Sequence, residues 1–192
     1  MGVAAPGRRR GTADDTTNVG GRGVAEVADL VVRQARSDEV RRVGVLTVEA
    51  YRAVGYPGEG GGSGYATLLA DAESRLRSAE LLVAADRAGC LVGTVTIALP
   101  GTPFAEISRA GELELRMLAV AAPARGRGVG ELLVRAVIAR ARELGLHRVV
   151  LCSPAALDAA HRLYERLGFT RLPDRDWHPG PDVLLIAYTL DV

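Results

Sequence analysis

Short segments rich in apolar and β-branched residues predict the strands of one sheet. Strands are expected over residues 29–34, 81–85, 91–99, 112–120 and 147–152, and in two closing segments, FTRL and DVLLIAYTL. The turn at residues 86–89 joins the second and third strands into an antiparallel hairpin. Strict alternation along 112–120 predicts one face with Leu113, Leu115, Met117 and Ala119, and another with Glu112, Glu114, Arg116, Leu118 and Val120.

Apolar positions three and four residues apart predict helices between these strands. The first helix carries the stripe Val43, Leu46, Ala50 and Val54, a second covers about 66–78, a third runs to about Leu144, and a fourth ends at Gly168. The glycine-rich segment 55–65 is expected to be a loop, and it could close over a cleft. The strand–helix–strand unit from 112 to 152 indicates parallel pairing of its two strands. The pattern therefore predicts an α/β fold with helices on a mixed sheet.

The length of 192 residues favours one folded domain. Residues 1–27 are polar and glycine-rich, which predicts a disordered arm, and residues 28–192 are expected to form the domain. The net charge of +1 argues against a nucleic-acid-binding surface. No apolar run approaches the roughly 20 residues of a membrane helix, and the first residues lack a signal-peptide core, so we expect a cytoplasmic protein.

Two further features of the composition bear on chemistry and origin. The chain contains no lysine, and together with the abundance of alanine, arginine and glycine this indicates a GC-rich, bacterial genome. Cys90 and Cys152 are isolated in the sequence and have no histidine-rich surroundings, so neither a disulfide framework nor a metal site is expected.

The stretch AAPARGRGVGELL, residues 121–133, places three glycines and two arginines between a strand and a helix. The N–H groups at a helix start lack intrahelical partners and lie at the positive end of the helix dipole, and glycines let a phosphate approach them. The segment is neither a P-loop, because GxxxxGK(S/T) is absent, nor the GxGxxG dinucleotide fingerprint. It therefore predicts either a phosphate-binding turn or an ordinary strand–helix connection in a glycine-rich protein.

A strand ending at Val120 is followed by Arg125, Gly128 and Gly130, and the segment LYERLGF at 163–169 falls on a later helix. These two motifs resemble R/Q-x-x-G-x-G/A and LYxxxGF of the GCN5-related N-acetyltransferase (GNAT) family. The likeness covers residues 80–170 well and the first strand and helix weakly. It implies a mostly antiparallel central sheet of six to seven strands, flanked by about four helices, and binding of acetyl-CoA without a metal.

The resemblance also implies where the parts of acetyl-CoA lie. The diphosphate would rest on the N–H groups of residues 126–130, with charge from Arg125 and Arg127. The pantetheine arm would run along the strand end, and the oxyanion donor would be a backbone N–H at Ala119 or Val120. The cofactor-binding residues expected on this basis are Leu118, Ala119, Val120, Arg125, Gly126, Arg127, Gly128, Val129 and Gly130. Leu157 departs from the family, which often has an asparagine seven residues before the motif tyrosine.

Acetyl transfer to an amine requires a proton donor for the thiolate and a route for the ammonium proton. Tyr164 matches the family tyrosine and is the expected acid, although Leu157, Ala160, Tyr164 and Leu167 also form a stripe that would suit core packing. Glu114 is the expected base, acting through water on the face of Leu118 and Val120, with Glu112 as a rival. Glu114 could instead be a solvated charge at the edge of the sheet or form a pair with Arg116. Solvent alone could also remove the proton.

The acceptor cannot be identified from the sequence beyond an amine on a small molecule or peptide. The loop DRDWHPG, residues 174–180, holds Asp174, Asp176 and Trp177, which could bind a cationic amine or simply pack. The predicted protein is thus an N-acetyltransferase, with no nucleic-acid or membrane partner and a homodimer as one possible assembly. A non-catalytic acyl-CoA sensor is the alternative.

Overall fold

A computed structural model of the chain describes residue 1 and residues 29–55, 63–180 and 183–192. The predicted arm at 1–27, apart from residue 1, and most of the loop at 55–65 lie outside the described residues. The predicted disorder of the arm and the closing role of that loop therefore stay predictions.

The described residues form one mixed sheet of eight strands, in the spatial order β1-β2-β3-β4-β5-β8-β6, with β7 paired to β8. The strands are β1 (Val31–Gln34), β2 (Glu80–Ala85), β3 (Leu91–Ala98), β4 (Glu112–Val120), β5 (Arg148–Pro154), β6 (Thr170–Arg171), β7 (Trp177–Gly180) and β8 (Val183–Asp191). The pairing of β4 with β5 is parallel, and the other pairs are antiparallel. This confirms the predicted mixed, mostly antiparallel sheet.

Five α-helices cover the two faces of the sheet in the described part of the chain. They are α1 (Val40–Arg52), α2 (Ser63–Ala70), α3 (Ala72–Ser78), α4 (Val129–Glu143) and α5 (Asp158–Arg166). Helices α4 and α5 bury apolar residues against one face, and α1, α2 and α3 pack on the other. None of the helices formed by the described residues has both the length and the apolar character that crossing a membrane requires.

Two local predictions were wrong. The helix expected over 66–78 is divided in two, because Asp71 leaves helical geometry and its carboxylate accepts the N–H of Ser74, which starts α3. The segment 174–180, expected as a loop, contains β7, which pairs with β8. Both differences add elements to the predicted architecture and leave its topology intact.

The predicted faces of β4 are also wrong beyond Arg116, because Met117 interrupts the alternation. Met117 adopts φ +52°, and the register of β4 with β3 shifts between the pairs Thr96–Arg116 and Thr94–Ala119, which describes a β-bulge. Leu118 consequently packs with the α4 side of the core, whereas Met117 packs on the α2 side.

Candidate active site

The strands β4 and β5 separate in the middle of the sheet and open a cavity. Their pairing ends at Leu115 and Leu151, although β4 continues to Val120 and β5 to Pro154. A cavity of ≈ 670 Å³ occupies the gap and the adjoining surface. Its lining reaches from α4 and α5 on one face of the sheet to Tyr51 of α1 on the other.

The glycine turn forms one end of this cavity. Gly126 and Gly128 have φ +76° and +80°, a conformation that strains other residues, and Gly128 is the N-cap of α4. The first helical bond runs from the Leu132 N–H to the Gly128 carbonyl. In the part of the chain that the structure describes, the N–H groups of Val129 and Gly130 have no backbone acceptor. They add unpaired donors to the positive end of the helix dipole.

The structure brings together eight of the nine predicted cofactor-binding residues. The residues that line the cavity are Leu118, Ala119, Val120, Arg125, Gly126, Gly128, Val129 and Gly130. Arg127 is half-buried in the same turn but does not line the cavity. The local strand–turn–helix pattern therefore predicted residues that share this end of the cavity, and their role in binding a cofactor stays a prediction.

Arg125 has a structural contact that the sequence did not indicate. Its Nη2 donates to the carbonyl of Ala50 in α1 at 3.1 Å, and its Nε donates to the carbonyl of Val120 at 3.4 Å. The guanidinium thus links the last turn of α1 to the end of β4, and its positive charge stays on the cavity wall. Arg125 therefore holds α1 and β4 together beside the cavity and also supplies positive charge there.

Glu131 places a negative charge in the first turn of α4, beside the N–H groups of Val129 and Gly130. Hydrogen bonds from Arg135, together with the nearby charge of Arg166, hold the pKa of this carboxyl below its ordinary value. The two arginines also offset its charge. The turn therefore keeps a favourable potential for an anion despite the adjacent carboxylate.

Gly130 permits a close approach of α4 to α5. A Cβ at this position would lie 3.3 Å from Leu163 Cδ2 and 3.7 Å from Val120 Cγ2. The missing side chain therefore brings α5, which carries Tyr164, close to the start of α4. The two sequence motifs meet here in space.

Tyr164 lines the cavity on the side of α5 and is 4% exposed. Its ring packs against Phe169 and Tyr188 at centroid distances of 5.9 and 5.8 Å. Burial, with a smaller contribution from Tyr188, raises the pKa of the Tyr164 phenol well above its ordinary value. The phenol is therefore protonated at neutral pH, as a proton donor must be. Tyr164 thus packs in the core, one of the two predicted alternatives, and also lines the cavity, whereas its role as an acid stays a prediction.

Leu157 also lines the cavity, at the N-cap of α5. Its carbonyl accepts the N–H groups of Ala160 and His161, and no side-chain cap is present there. The position therefore presents an apolar surface where the resembling family often has an amide.

Glu114 lies away from Leu118 and Val120, so the prediction that it shares their face was wrong. The bulge at Met117 separates them. The carboxylate of Glu114 is fully buried, and its Oε2 accepts the N–H groups of three consecutive residues, Glu106, Ile107 and Ser108, at 2.8, 2.9 and 3.0 Å. Its Oε1 lies 3.5 Å from Arg116 Nη1. Glu114 therefore fastens the β3–β4 loop to β4.

Glu112 and Arg116, on the same face of β4, bind the same loop. Glu112 accepts the N–H of Arg109 and a two-pronged contact from Arg175, which together with Arg148 holds the pKa of this carboxyl below its ordinary value despite its burial. Arg116 donates to the Phe104 carbonyl and to Glu106 Oε1, both at 2.6 Å. The charges of ELELR are thus buried and paired rather than exposed at the surface. The pair of Glu114 with Arg116 was one of the predicted alternatives, whereas no local pattern indicated the contacts with the β3–β4 loop and with Arg175.

The segment 174–180 contributes Trp177 to the neighbourhood of the cavity. Burial and the charge of Glu114 raise the pKa of the Cys152 thiol to about 12, and the Trp177 indole partly opposes this effect. Cys152 lines the cavity and is thus not a plain core residue. Asp176 is occupied by Arg171 and by the Ala187 N–H, and Asp174 is exposed. Of the three residues predicted to hold an amine, only Trp177 approaches the cavity lining.

Comparisons with known proteins agree with this geometry. Residues 47–169 match the model of the Acetyltransferase (GNAT) family. A mycothiol acetyltransferase from Pseudarthrobacter chlorophenolicus is 44% identical over 68 residues, 35% of this chain and 21% of the relative. The chain thus matches about a fifth of the length of this curated relative.

Solved structures share the fold across most of the chain. A GCN5-related N-acetyltransferase from Kribbella flavida is 22% identical, covers 86% of this chain and 99% of its own, and has a TM-score of 0.63. A putative acetyltransferase from Salmonella typhimurium, solved with its cofactor acetyl-CoA, is 21% identical, with 84% and 93% covered and a TM-score of 0.60. The sheet, the glycine turn and the family match lead to one conclusion: the chain belongs to the GNAT acetyltransferase family.

Proposed function

We propose that this protein transfers an acetyl group from acetyl-CoA to a primary amine, by direct attack within a ternary complex. The observation that carries the proposal is the single cavity that joins the open N–H groups of the glycine turn to the Tyr164 phenol. The acetyl-CoA bound to the Salmonella relative supports the choice of donor. The acceptor amine belongs to a small molecule or a peptide.

The residues that line the cavity suit acetyl-CoA. Its diphosphate suits the N–H donors of Val129 and Gly130, because the space that a side chain at Gly126 would occupy is open. The pantetheine arm suits the gap beyond Leu115 and Leu151, where β4 has no strand partner on that side. When bound, acetyl-CoA supplies the thioester carbonyl that an amine attacks.

A backbone donor for the developing oxyanion is available at Val120. The N–H of Ala121 donates to the Val92 carbonyl of β3. Because successive N–H groups of a strand point in opposite directions, the N–H of Val120 points toward the gap. Of the two predicted donors, Ala119 and Val120, the second therefore has the suitable direction for stabilising negative charge.

Tyr164 holds its proton near the same gap and donates it to the departing sulfur. Over the whole reaction, the C–N bond forms and the C–S bond breaks. The ammonium loses two protons, of which one ends on the sulfur of CoA and one is released. Direct proton donation by a positioned group contributes roughly 10²–10⁴-fold to such a rate.

Calorimetry with acetyl-CoA, followed by a thiol-release assay with primary amines, tests the proposal. We expect binding of acetyl-CoA, and thiol release that depends on both the amine and the protein and yields the N-acetyl product by mass spectrometry. Absence of binding would overturn the proposal. Binding without turnover of any amine above hydrolysis would overturn it in favour of an acyl-CoA sensor.

A further inference from the structure

The wall of the cavity contains a buried serine, Ser153 of β5. Ser153 lines the cavity and is 3% exposed. It follows Leu151, the last residue of β5 to pair with β4, by two positions, so it borders the gap where the two strands have parted. Ser153 therefore lies in the part of the cavity that suits the pantetheine arm.

The side chain of Ser153 lies on the same face of the sheet as Tyr164. Leu151 packs on the α4 side of the core, and β5 pairs with β8 without a register shift, so the residue two positions later shares that face. The partner of Ser153 on β8 is Ile186, two residues from Tyr188, whose ring lies 5.8 Å from that of Tyr164. Ser153 and Tyr164 thus belong to neighbouring elements, β5 and α5, on one side of the cavity.

Contacts beside Ser153 fix the end of β5 against α5. His161 of α5 donates from Nε2 to the carbonyl of Pro154, the residue after Ser153, at 3.1 Å. The His161 ring also lies 5.5 Å from the ring of Tyr188. The position of Ser153 relative to the helix that carries Tyr164 is therefore set by the fold.

The hydroxyls of Ser153 and Tyr164 both lack a hydrogen-bond partner within the described ranges 29–55, 63–180 and 183–192. A buried hydroxyl without a partner is unfavourable for folding, and a polar ligand satisfies it. The three preceding residues of β5, Val149, Val150 and Leu151, are apolar and fully buried, so a serine is not what core packing favours here. Two open, buried hydroxyls on one cavity indicate a ligand group that both can contact.

We propose that Ser153 is a second hydrogen-bond donor to the sulfur of coenzyme A, and that it stabilises the departing thiolate together with Tyr164. This inference rests on the transferase function proposed above and adds a catalytic residue to it. As the C–S bond breaks, its electron pair goes to the sulfur, and Tyr164 gives that sulfur a proton. Ser153 keeps its own proton throughout. The phenolate of Tyr164 then takes up one of the two protons that the amine loses.

A second donor is useful because Tyr164 is a weak acid. Burial raises the pKa of its phenol, so its proton moves to the sulfur less readily than the proton of an exposed phenol. Hydrogen bonds to a charged group are roughly twice as strong as those between neutral groups, so a serine hydroxyl gains strength as charge develops on the sulfur. The ionisable groups around this part of the cavity are Tyr164 and His161 of α5, Tyr188 of β8, and Cys152 on the opposite face of β5.

The first test compares Ser153→Ala and Ser153→Thr with the control Ser108→Ala. The Ser108 hydroxyl is likewise buried without a partner in the described part of the chain, but Ser108 lies in the β3–β4 loop and does not line the cavity. The acceptor is whichever of benzylamine, spermidine and an alanyl peptide the wild type acetylates best. We expect Ser153→Ala to lower kcat roughly tenfold, to keep the acetyl-CoA Kd within about twofold and to keep the melting temperature. Ser153→Thr should recover part of the loss, and Ser108→Ala should match the wild type.

The thiol of bound coenzyme A gives a readout that a merely structural serine does not move. Its pKa is measured from the thiolate absorbance of the coenzyme A complex. The blank is the complex with desulfo-coenzyme A, in which hydrogen replaces the thiol group. Because hydrogen bonds to the charged form lower a pKa, we expect the pKa of the bound thiol to be about 0.5–1 unit higher in Ser153→Ala than in the wild type. Desulfo-coenzyme A should bind equally to both proteins.

The outcomes separate the role of Ser153 from the transferase function. Normal wild-type turnover with an unaltered thiol pKa or an unaltered kcat in Ser153→Ala would overturn the role of Ser153 alone. Equal weakening of coenzyme A and desulfo-coenzyme A binding would also overturn it, because the hydroxyl would then contact the pantetheine arm instead of the sulfur. Acetyl-CoA binding without turnover of any amine in the wild type would overturn both proposals, because no thiolate departs.

Discussion

Leu115 of β4 and Leu151 of β5 form the last pair between these two parallel strands. Both leucines are buried on the α4 side of the sheet, so the strands are firmly joined up to this point. Beyond it the strands diverge around the cavity, and the bulge at Met117 turns the end of β4. The pair therefore marks where the pairing of β4 with β5 ends and the candidate active site begins.

Replacement of Tyr164 by phenylalanine removes the phenolic proton and keeps the ring packing. We expect kcat of Tyr164→Phe to fall by roughly 10²–10⁴-fold, with the acetyl-CoA Kd unchanged, because the phenol acts on the leaving group. Steady-state kinetics and calorimetry measure the two quantities. Because the pKa of Tyr164 is raised, the wild-type rate should show no loss from phenol ionisation up to about pH 10.

Tyr188→Phe is the matched control for this substitution. Tyr188 is buried, and its ring packs 5.8 Å from that of Tyr164, but it does not line the cavity. We expect near-normal turnover for Tyr188→Phe. Equal losses of turnover and of melting temperature in both variants would show that Tyr164 serves packing alone.

Replacement of Gly126 by alanine tests the anion site. Gly126 has φ +76° and open space around its Cα, so the variant should lose about 1–2 kcal/mol of stability and should also narrow the phosphate site. We expect at least a tenfold rise in the acetyl-CoA Kd, measured by calorimetry. Gly89→Ala is the control, because Gly89 has φ +78° and equally open surroundings in the β2–β3 turn. A similar Kd in both variants would contradict binding at the glycine turn.

The variant Glu114→Gln tests whether Glu114 mainly holds the β3–β4 loop in place or acts as the base that the sequence predicts. Because the carboxylate is fully buried and accepts three N–H groups, we expect the variant to lose about 2–4 kcal/mol of unfolding free energy. Urea titration measures this loss. The control is Glu73→Gln, because Glu73 is exposed in the first turn of α3 and pairs with Arg77, so its replacement should change stability by less than about 1 kcal/mol. A variant with normal stability and greatly reduced turnover would instead support Glu114 as the base.

The stability of the protein should fall in acid partly through Glu39, at the junction of β1 and α1. Hydrogen bonds from the Arg33 side chain, and then from the Arg36 N–H, lower the pKa of Glu39 to about 2. Because the pKa of Glu39 in the folded state lies below its unfolded-state pKa of about 4.3, the ionised carboxylate stabilises the folded protein above about pH 4.3. This stabilisation is lost as the pH falls toward 2. The contribution is at most about 3 kcal/mol.

Urea titrations of the wild type and Glu39→Gln between pH 7 and pH 2.5 measure this effect. We expect the variant to be less stable at pH 7 and to lose less stability on acidification, so that the two curves converge. Parallel curves would show that the Arg33–Glu39 pair adds nothing to the pH dependence.

Local patterns predicted the residues at the glycine-turn end of the cavity because these residues are contiguous in the sequence. The glycines of the turn define the start of α4, and LYERLGF sets the tyrosine on α5. Apolar alternation likewise gave the strands, and the strand–helix–strand spacing gave the parallel pair. In each case, the residues that determine the structure lie within one element or its flanking turn.

The arrangement of the buried charges of β4 could not be predicted from one segment, because it depends on a bulge and on contacts with other segments. Nothing in ELELRMLAV marks Met117 as the bulge, since neither glycine nor asparagine stands there to favour a positive φ. The contact of Arg175 with Glu112 spans 63 residues, and Glu106 belongs to a loop with no regular pattern. The bulge separates Glu114 from the face of Leu118 and Val120, and the Glu114 carboxylate binds the β3–β4 loop instead.

A crystal structure of the protein with coenzyme A tests the central claim most directly. The account predicts that the diphosphate accepts hydrogen bonds from the N–H groups of Val129 and Gly130, with the sulfur in the gap near Tyr164. A ligand bound outside the gap between β4 and β5, with these N–H groups still open, would contradict it.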